Sequence, residues 1–142
     1  MGGLAAAAGC LAAAGALLVA GAGSAGAAAV APPHIVAKPS KLKAGAATHL
    51  TGTGFTARHL IKLEECSSRQ WSIMNPNPCV PGSAKFVLTG AAGGFTTKFT
   101  VSGCAPIPAP GTQTCYVGVP TEVGTAGDDF ELAGAVTITV KP

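Results

Sequence analysis

Charge is scarce in this chain of 142 residues: only 11% are Asp, Glu, Lys or Arg. Aromatic residues make up 5%, with a single Trp and a single Tyr. Helix-forming side chains are few, whereas glycine (20) and proline (11) abound. This shortage of helix formers excludes a helical bundle and predicts an all-β sandwich or barrel. The length allows one domain. The net charge of +3 is mild. Lys38, Lys41, Lys43, Arg58, Lys62, Arg69, Lys85, Lys98 and Lys141 are scattered, and no basic run interleaves with aromatics. The pattern therefore predicts a solvated surface and no nucleic-acid groove.

Reactive constellations are also missing. His34, His49 and His59 lack metal-ligand spacing, and the chain has no Cys-x-x-Cys pair. Gly-x-Ser-x-Gly is absent. Asp128, Asp129 and Glu131 follow Gly127 and read as a turn rather than a calcium loop. Gly52-Thr53-Gly54 has neither the third glycine nor the following helix of a nucleotide loop. The expectation is a non-enzymatic protein with no catalytic residue, metal ligand or cofactor of its own.

The first thirty residues are apolar, rich in Ala and Gly, and uncharged. Leu4 to Val19 followed by small residues predicts a signal peptide over 1–29, and Ala27 and Ala29 fit the cleavage rule. A cut after Ala31 also satisfies that rule, although Pro32 would follow it. The apolar core is short and no basic stop-transfer cluster follows, so no membrane anchor is expected. The remainder, 30–142, is predicted to be one exported, extracellular, monomeric domain.

That domain keeps four cysteines, Cys66, Cys79, Cys104 and Cys115, which predict two disulfides in an exported domain of this size. Three pairings are open. The local one is favoured, because each loop it closes is rich in Pro and Gly.

Seven or eight short strands are legible: 34–38 (an edge strand), 47–53, 60–66, a short one near Trp71, 84–89, 95–101, 116–119 and 130–140. Turns are expected at 41–45, 90–94 and 120–129. Phe95, Thr97, Phe99 and Val101 share one face. In 60–66 both parities begin apolar, so the buried face is ambiguous. The strand spacing predicts a two-layer sandwich.

One cluster carries functional information. Trp71 lies between Cys66 and Cys79, and Tyr116 directly follows Cys115. Such rings either plug a core or line a cleft.

A wider pattern joins these features. Pro39-Ser40, Leu42 and Gly45 precede Gly52-Thr53-Gly54-Phe55 and a strand ending at Cys66. VLTGAAGGFTTKFTV (87–101) follows the second cysteine of the domain. CYVGVP (115–120) then leads to a Gly-rich turn and a closing alternating strand. Over about 33–140 this resembles the neocarzinostatin family of secreted actinobacterial apoproteins, which carry enediyne chromophores. The resemblance implies a seven-stranded immunoglobulin-like Greek-key sandwich with a cleft at one end and disulfides Cys66–Cys79 and Cys104–Cys115. It implies a cleft formed by Cys66, Trp71, Cys79, Tyr116, Gly118 and Pro120, with Gly118 letting a flat ligand approach the backbone.

The partner so implied is a hydrophobic or aromatic small molecule, such as a non-covalently bound enediyne chromophore. Antimicrobial activity and contact with DNA would then belong to that complex and come through the chromophore. Two departures stand out. Tyr116 and Pro120 replace hydrogen-bonding residues, and only Ser102-Gly103 stand where the family has a long ribbon before the third cysteine of the domain. The alternative expectation is an immunoglobulin-like extracellular module that binds a protein or a cell-envelope partner.

Overall fold

A computed structural model describes residues 31–104, 111–124 and 127–142. The expected signal peptide (1–29) lies outside the described residues. Nine strands and no helix occur among the described residues: β1 (His34–Lys38), β2 (Lys41–Lys43), β3 (Ala47–Thr53), β4 (Leu60–Cys66), β5 (Gln70–Ser72), β6 (Lys85–Leu88), β7 (Phe95–Thr100), β8 (Gln113–Val123) and β9 (Asp129–Lys141).

Two sheets form. One has the order β1-β3-β7 and is antiparallel throughout. The other runs β2-β9-β8-β4-β6, with β5 added to the free side of β9 near its start. The expected all-β sandwich with two disulfides is what the chain adopts, and both bridges are local, Cys66–Cys79 and Cys104–Cys115.

Alternation decides the layers. Ile35, Leu50, Leu63, Phe99, Val101, Val117, Ile138 and Val140 fill the space between the sheets, with Cys104 and Cys115 among them. Phe95 and Phe99 point inward from β7 as the pattern predicts, and Thr96, Lys98 and Thr100 point out. In β4 the ambiguity resolves in favour of Ile61, Leu63 and Glu65 inside, leaving Leu60, Lys62 and Glu64 on the outer face.

Three local readings change. Residues 41–43, expected in a turn, form the parallel edge strand β2 against the end of β9. Three residues with one buried Leu carry too short a pattern to be read as a strand. Proline at 120 ends the predicted strand 116–119, yet β8 continues to Val123. Past Gly118 this strand pairs with β9 alone, because β4 meets β8 only from Glu64 to Cys66. Pro120 therefore lies at an exposed edge, where a missing N–H is tolerated. The last strand is also longer than predicted and includes Asp129 and Lys141.

A bulge between Val117 and Val119 divides the β8–β9 hairpin. Gly134 opposes it with a φ of 67°, in the left-handed region that favours glycine. One half of the hairpin covers the core. The other projects as a two-stranded ribbon backed by β5.

Candidate functional site

The site is built on the outer face of the six-stranded sheet. Cys66 of β4 stands opposite Tyr116 of β8, and Glu64 opposite Gly118. Pro120 pairs with Leu132, and Phe130 faces Trp71 of β5. The segment bearing Trp71 is closed at its base by the Cys66–Cys79 bridge. Backbone hydrogen bonds from Ser67 N–H to the Pro78 carbonyl (3.0 Å) and from Val80 N–H to the Glu65 carbonyl (2.8 Å) flank that bridge. Asn77 Oδ1 accepts the Cys79 N–H at 2.9 Å.

Beyond β5, Leu132 N–H donates to the Arg69 carbonyl (2.8 Å) and Ile73 N–H to the Asp128 carbonyl (2.7 Å). The disulfide loop is thus stitched along β9 from Arg69 to Ile73. Across that pairing the Trp71 and Phe130 rings stack, 5.7 Å between centroids and 12° between planes.

This stacked pair walls a groove of about 400 Å³, lined also by Lys62, Glu64, Ile73, Asn75 and Pro120. The volume lies in the range of small-molecule sites. Lys62 Nζ and Glu64 Oε1 form an ion pair at 3.0 Å on its floor. A second hollow of about 360 Å³, lined by Gln70, Val123 and Asp129, shares the Trp71–Phe130 pair as a wall.

Apolar surface continues past the groove. On the same face Phe86 pairs with Lys62 and Leu88 with Leu60. Phe86, Leu88 and Leu60 are 62%, 67% and 59% exposed. An outward Phe and two outward Leu on adjacent strands exceed what the core uses, and exposed apolar patches of this kind mark binding surfaces.

The six residues expected in the cleft are brought to one region, in different roles. Trp71 and Pro120 line the groove. Cys66 and Cys79 are buried with Leu132, and Trp71 and Tyr116 pack against them. Tyr116 is covered by Arg69, whose guanidinium lies 5.1 Å from the ring centroid and whose Nη2 donates to the Ala135 carbonyl and Thr137 Oγ1, both at 3.3 Å. The side of Gly118 where a Cβ would stand is filled by the chain itself, with Leu132 Cβ at 2.9 Å and the Ala133 carbonyl at 3.2 Å. Here the glycine admits the neighbouring strand.

A family model described as the neocarzinostatin family matches residues 35–138. The chain belongs to the neocarzinostatin family. Among solved structures it is similar to macromomycin, at 14% identity and a TM-score of 0.47, covering 77% of this chain and 97% of that one. No curated protein matches it.

Within this neocarzinostatin-family domain, the connection before Cys104 is tied to the buried side of β4. Ser102 and Gly103 are held by Glu65, whose carboxylate accepts their N–H groups at 2.7 and 2.9 Å. Glu65 is fully buried. Burial pushes its carboxyl above the usual range, and the two N–H groups pull in the opposite direction.

Sequence reasoning missed Phe130, Lys62 and Glu64. Phe130 becomes a wall only through the pairing of β5 with β9, which no local pattern encodes. Lys62 and Glu64 share parity with Cys66, and that was the available signal. Among the described residues no group of three His, Cys, Asp or Glu side chains is placed to hold a metal.

Proposed function

We propose that the protein is a secreted, non-enzymatic carrier that holds a hydrophobic, aromatic small molecule of the enediyne-chromophore class. The observation that carries this reading is the stacked Trp71–Phe130 wall of the groove, on the sheet face that also exposes Leu60, Phe86 and Leu88. Family membership names the ligand class.

The residues present fit a flat apolar group. The wall offers two parallel rings, and an added aromatic contact contributes about 0.5–1.5 kcal/mol beyond area burial. Pro120 and Ile73 add apolar contact, and the Lys62–Glu64 pair and Asn75 supply orienting polar groups. The chromophore supplies the DNA-cleaving chemistry, and this chain binds and shields it. Antimicrobial action and contact with DNA on this reading come through the bound molecule.

Trp71 is the only tryptophan, so its fluorescence reports the hollows that the Trp71–Phe130 pair walls. Titration with polycyclic, enediyne-like aromatics is expected to quench it saturably. Phe130→Ala, which leaves the reporter in place, is expected to weaken binding about tenfold, matching loss of one ring contact. A flat titration across such compounds would end the carrier reading.

A second reading has its own observation. Ile73 and Met74 beside Trp71 are 62% and 88% exposed, as a contact surface for a protein or cell-envelope partner requires. Met74→Ser should then abolish retention of an envelope partner without altering the small-molecule titration. Unchanged retention would discard this reading.

A further inference from the structure

The strands that end the two sheets are β1, β7, β2 and β6, and three of them are guarded. β1 presents Lys38, β2 presents Lys41 and Lys43, and β7 presents Lys98, all exposed. Lysine on an edge strand discourages another chain from pairing there. β6 (Lys85–Leu88) is the exception. Its one charged side chain, Lys85, shares the parity of Val87, which packs on the core, and Lys85 Nζ donates to the Lys98 carbonyl. The outward positions are Phe86 and Leu88, 62% and 67% exposed. The strand has no proline, glycine or register shift to blunt it.

The ladder between β4 and β6 fixes which backbone groups of β6 are unused. Thr89 N–H donates to the His59 carbonyl at 2.9 Å, and these residues stand opposite each other in the register that pairs Leu60 with Leu88. Bonded and non-bonded pairs alternate along an antiparallel ladder. Ile61–Val87 and Leu63–Lys85 are therefore the bonded pairs, and the N–H and C=O groups of Phe86 and Leu88 point away from β4. No strand lies on that side of β6 among the described residues. The same two residues thus offer free backbone groups and exposed apolar side chains.

We infer that β6 pairs antiparallel with β6 of a second copy of this chain, about a two-fold axis at Val87. The register selects this occupant. With the axis there, Phe86 stands opposite Leu88 of the second copy, and Leu88 opposite its Phe86. Each of these pairs exchanges two backbone hydrogen bonds, so every outward group of both residues is satisfied. On the outer face each row then reads Leu60, Leu88, Phe86, Lys62, the last two from the second copy. A ring meets a leucine in both rows, which is a favourable cross-strand pair, and no like charges are opposed. An unrelated extended peptide would match the backbone groups without matching these side chains. A two-fold contact closes on itself, so assembly stops at the dimer. An edge of this length is smaller than a stable interface needs, so the dimer is weak, with a Kd on the order of 100 µM. This departs from the monomer expected of the sequence. It does not rest on the carrier reading, because Trp71, Phe130 and Pro120 lie outside the seam.

Sedimentation equilibrium of the purified protein from about 5 µM to about 1 mM should show monomer passing to dimer. Amide exchange read by NMR should slow at Phe86 and Leu88 as the concentration rises. Phe86→Lys combined with Leu88→Lys opposes lysines in both rows and should raise the Kd about tenfold or more. Phe86→Glu combined with Leu88→Lys opposes Glu to Lys and should recover most of that loss. The second variant guards against a folding artefact in the first, and it tests the register, because an axis at residue 86 would oppose Glu to Glu. A monomer at about 1 mM would overturn the inference and leave the edge to an extended segment of another protein. Equal association of the lysine variant and the wild type would overturn it too, as would a Glu–Lys variant that pairs no better than the lysine one.

Discussion

The outer faces of the two sheets obey the same alternation and carry different chemistry. On β1, β3 and β7 the outward positions are Thr, Lys and His, apart from Val36 and Ala47. On the β4–β6 side they include Leu60, Phe86 and Leu88, and farther along the same sheet the stacked Trp71–Phe130 pair. The first face is what a solvated sheet looks like, with Lys38 and Lys98 on either side of His49. The second has more apolar side chains than the core requires. A surplus of apolar residues on an outward parity is therefore the sign of the groove.

This contrast can be broken at three places, in descending order of effect. Phe99 is 2% exposed and packs between the sheets, so it supports both faces at once. Phe99→Ala is expected to cost about 3–5 kcal/mol, read by urea unfolding, and to loosen the packing of both sheets. A smaller loss would mean the core collapses around the gap.

Replacing Cys66 and Cys79 together with Ser separates the two faces. The loss of stability should be about 2–4 kcal/mol. Aromatic binding should fall, because β5 loses the clamp at its base, while the pairing of β1, β3 and β7 should persist. Unchanged aromatic binding would show that β5 keeps its place without the bridge.

The smallest effect concerns pH. Glu65 is the one acidic side chain buried between the sheets, and its folded-state carboxyl titrates above the ordinary value. A raised carboxyl contributes stability that is fully present below the unfolded value and is lost as the pH rises through the folded one. Chemical denaturation from pH 4 upward should show that decline, and Glu65→Gln should remove it. A slope that survives the substitution would assign the decline to another group.

Much of this was legible in the sequence, for identifiable reasons. The strands of the three-stranded sheet carry clean period-two patterns, and His34–Lys38 and Ala47–Thr53 are found as read. Local disulfide pairing followed from bendable loops. The parity of β4 was not legible, since Leu60 and Ile61 are equally apolar and only the tertiary setting buries Ile61. Trp71 was visible by its rarity. Phe130 was not, because its partner lies 59 residues away in the chain and across a pairing that local pattern does not specify. The row Lys38–His49–Lys98 was hidden for the same reason: sequence shows three separated residues, and only register makes them neighbours.

The bulge at Gly118 and Gly134 has a consequence for how this protein can change. Trp71, Ile73, Asn75, Pro120 and Phe130 all lie in the clamped loop or on the ribbon beyond that break, and the buried Val117, Ile138 and Val140 lie before it. Selection for a new ligand can therefore rewrite the tip while the buried foundation stays as it is, with Lys62 and Glu64 of β4 the groove's one fixed part. The molecule is organised like a tool with an exchangeable head, and the two glycines mark the joint.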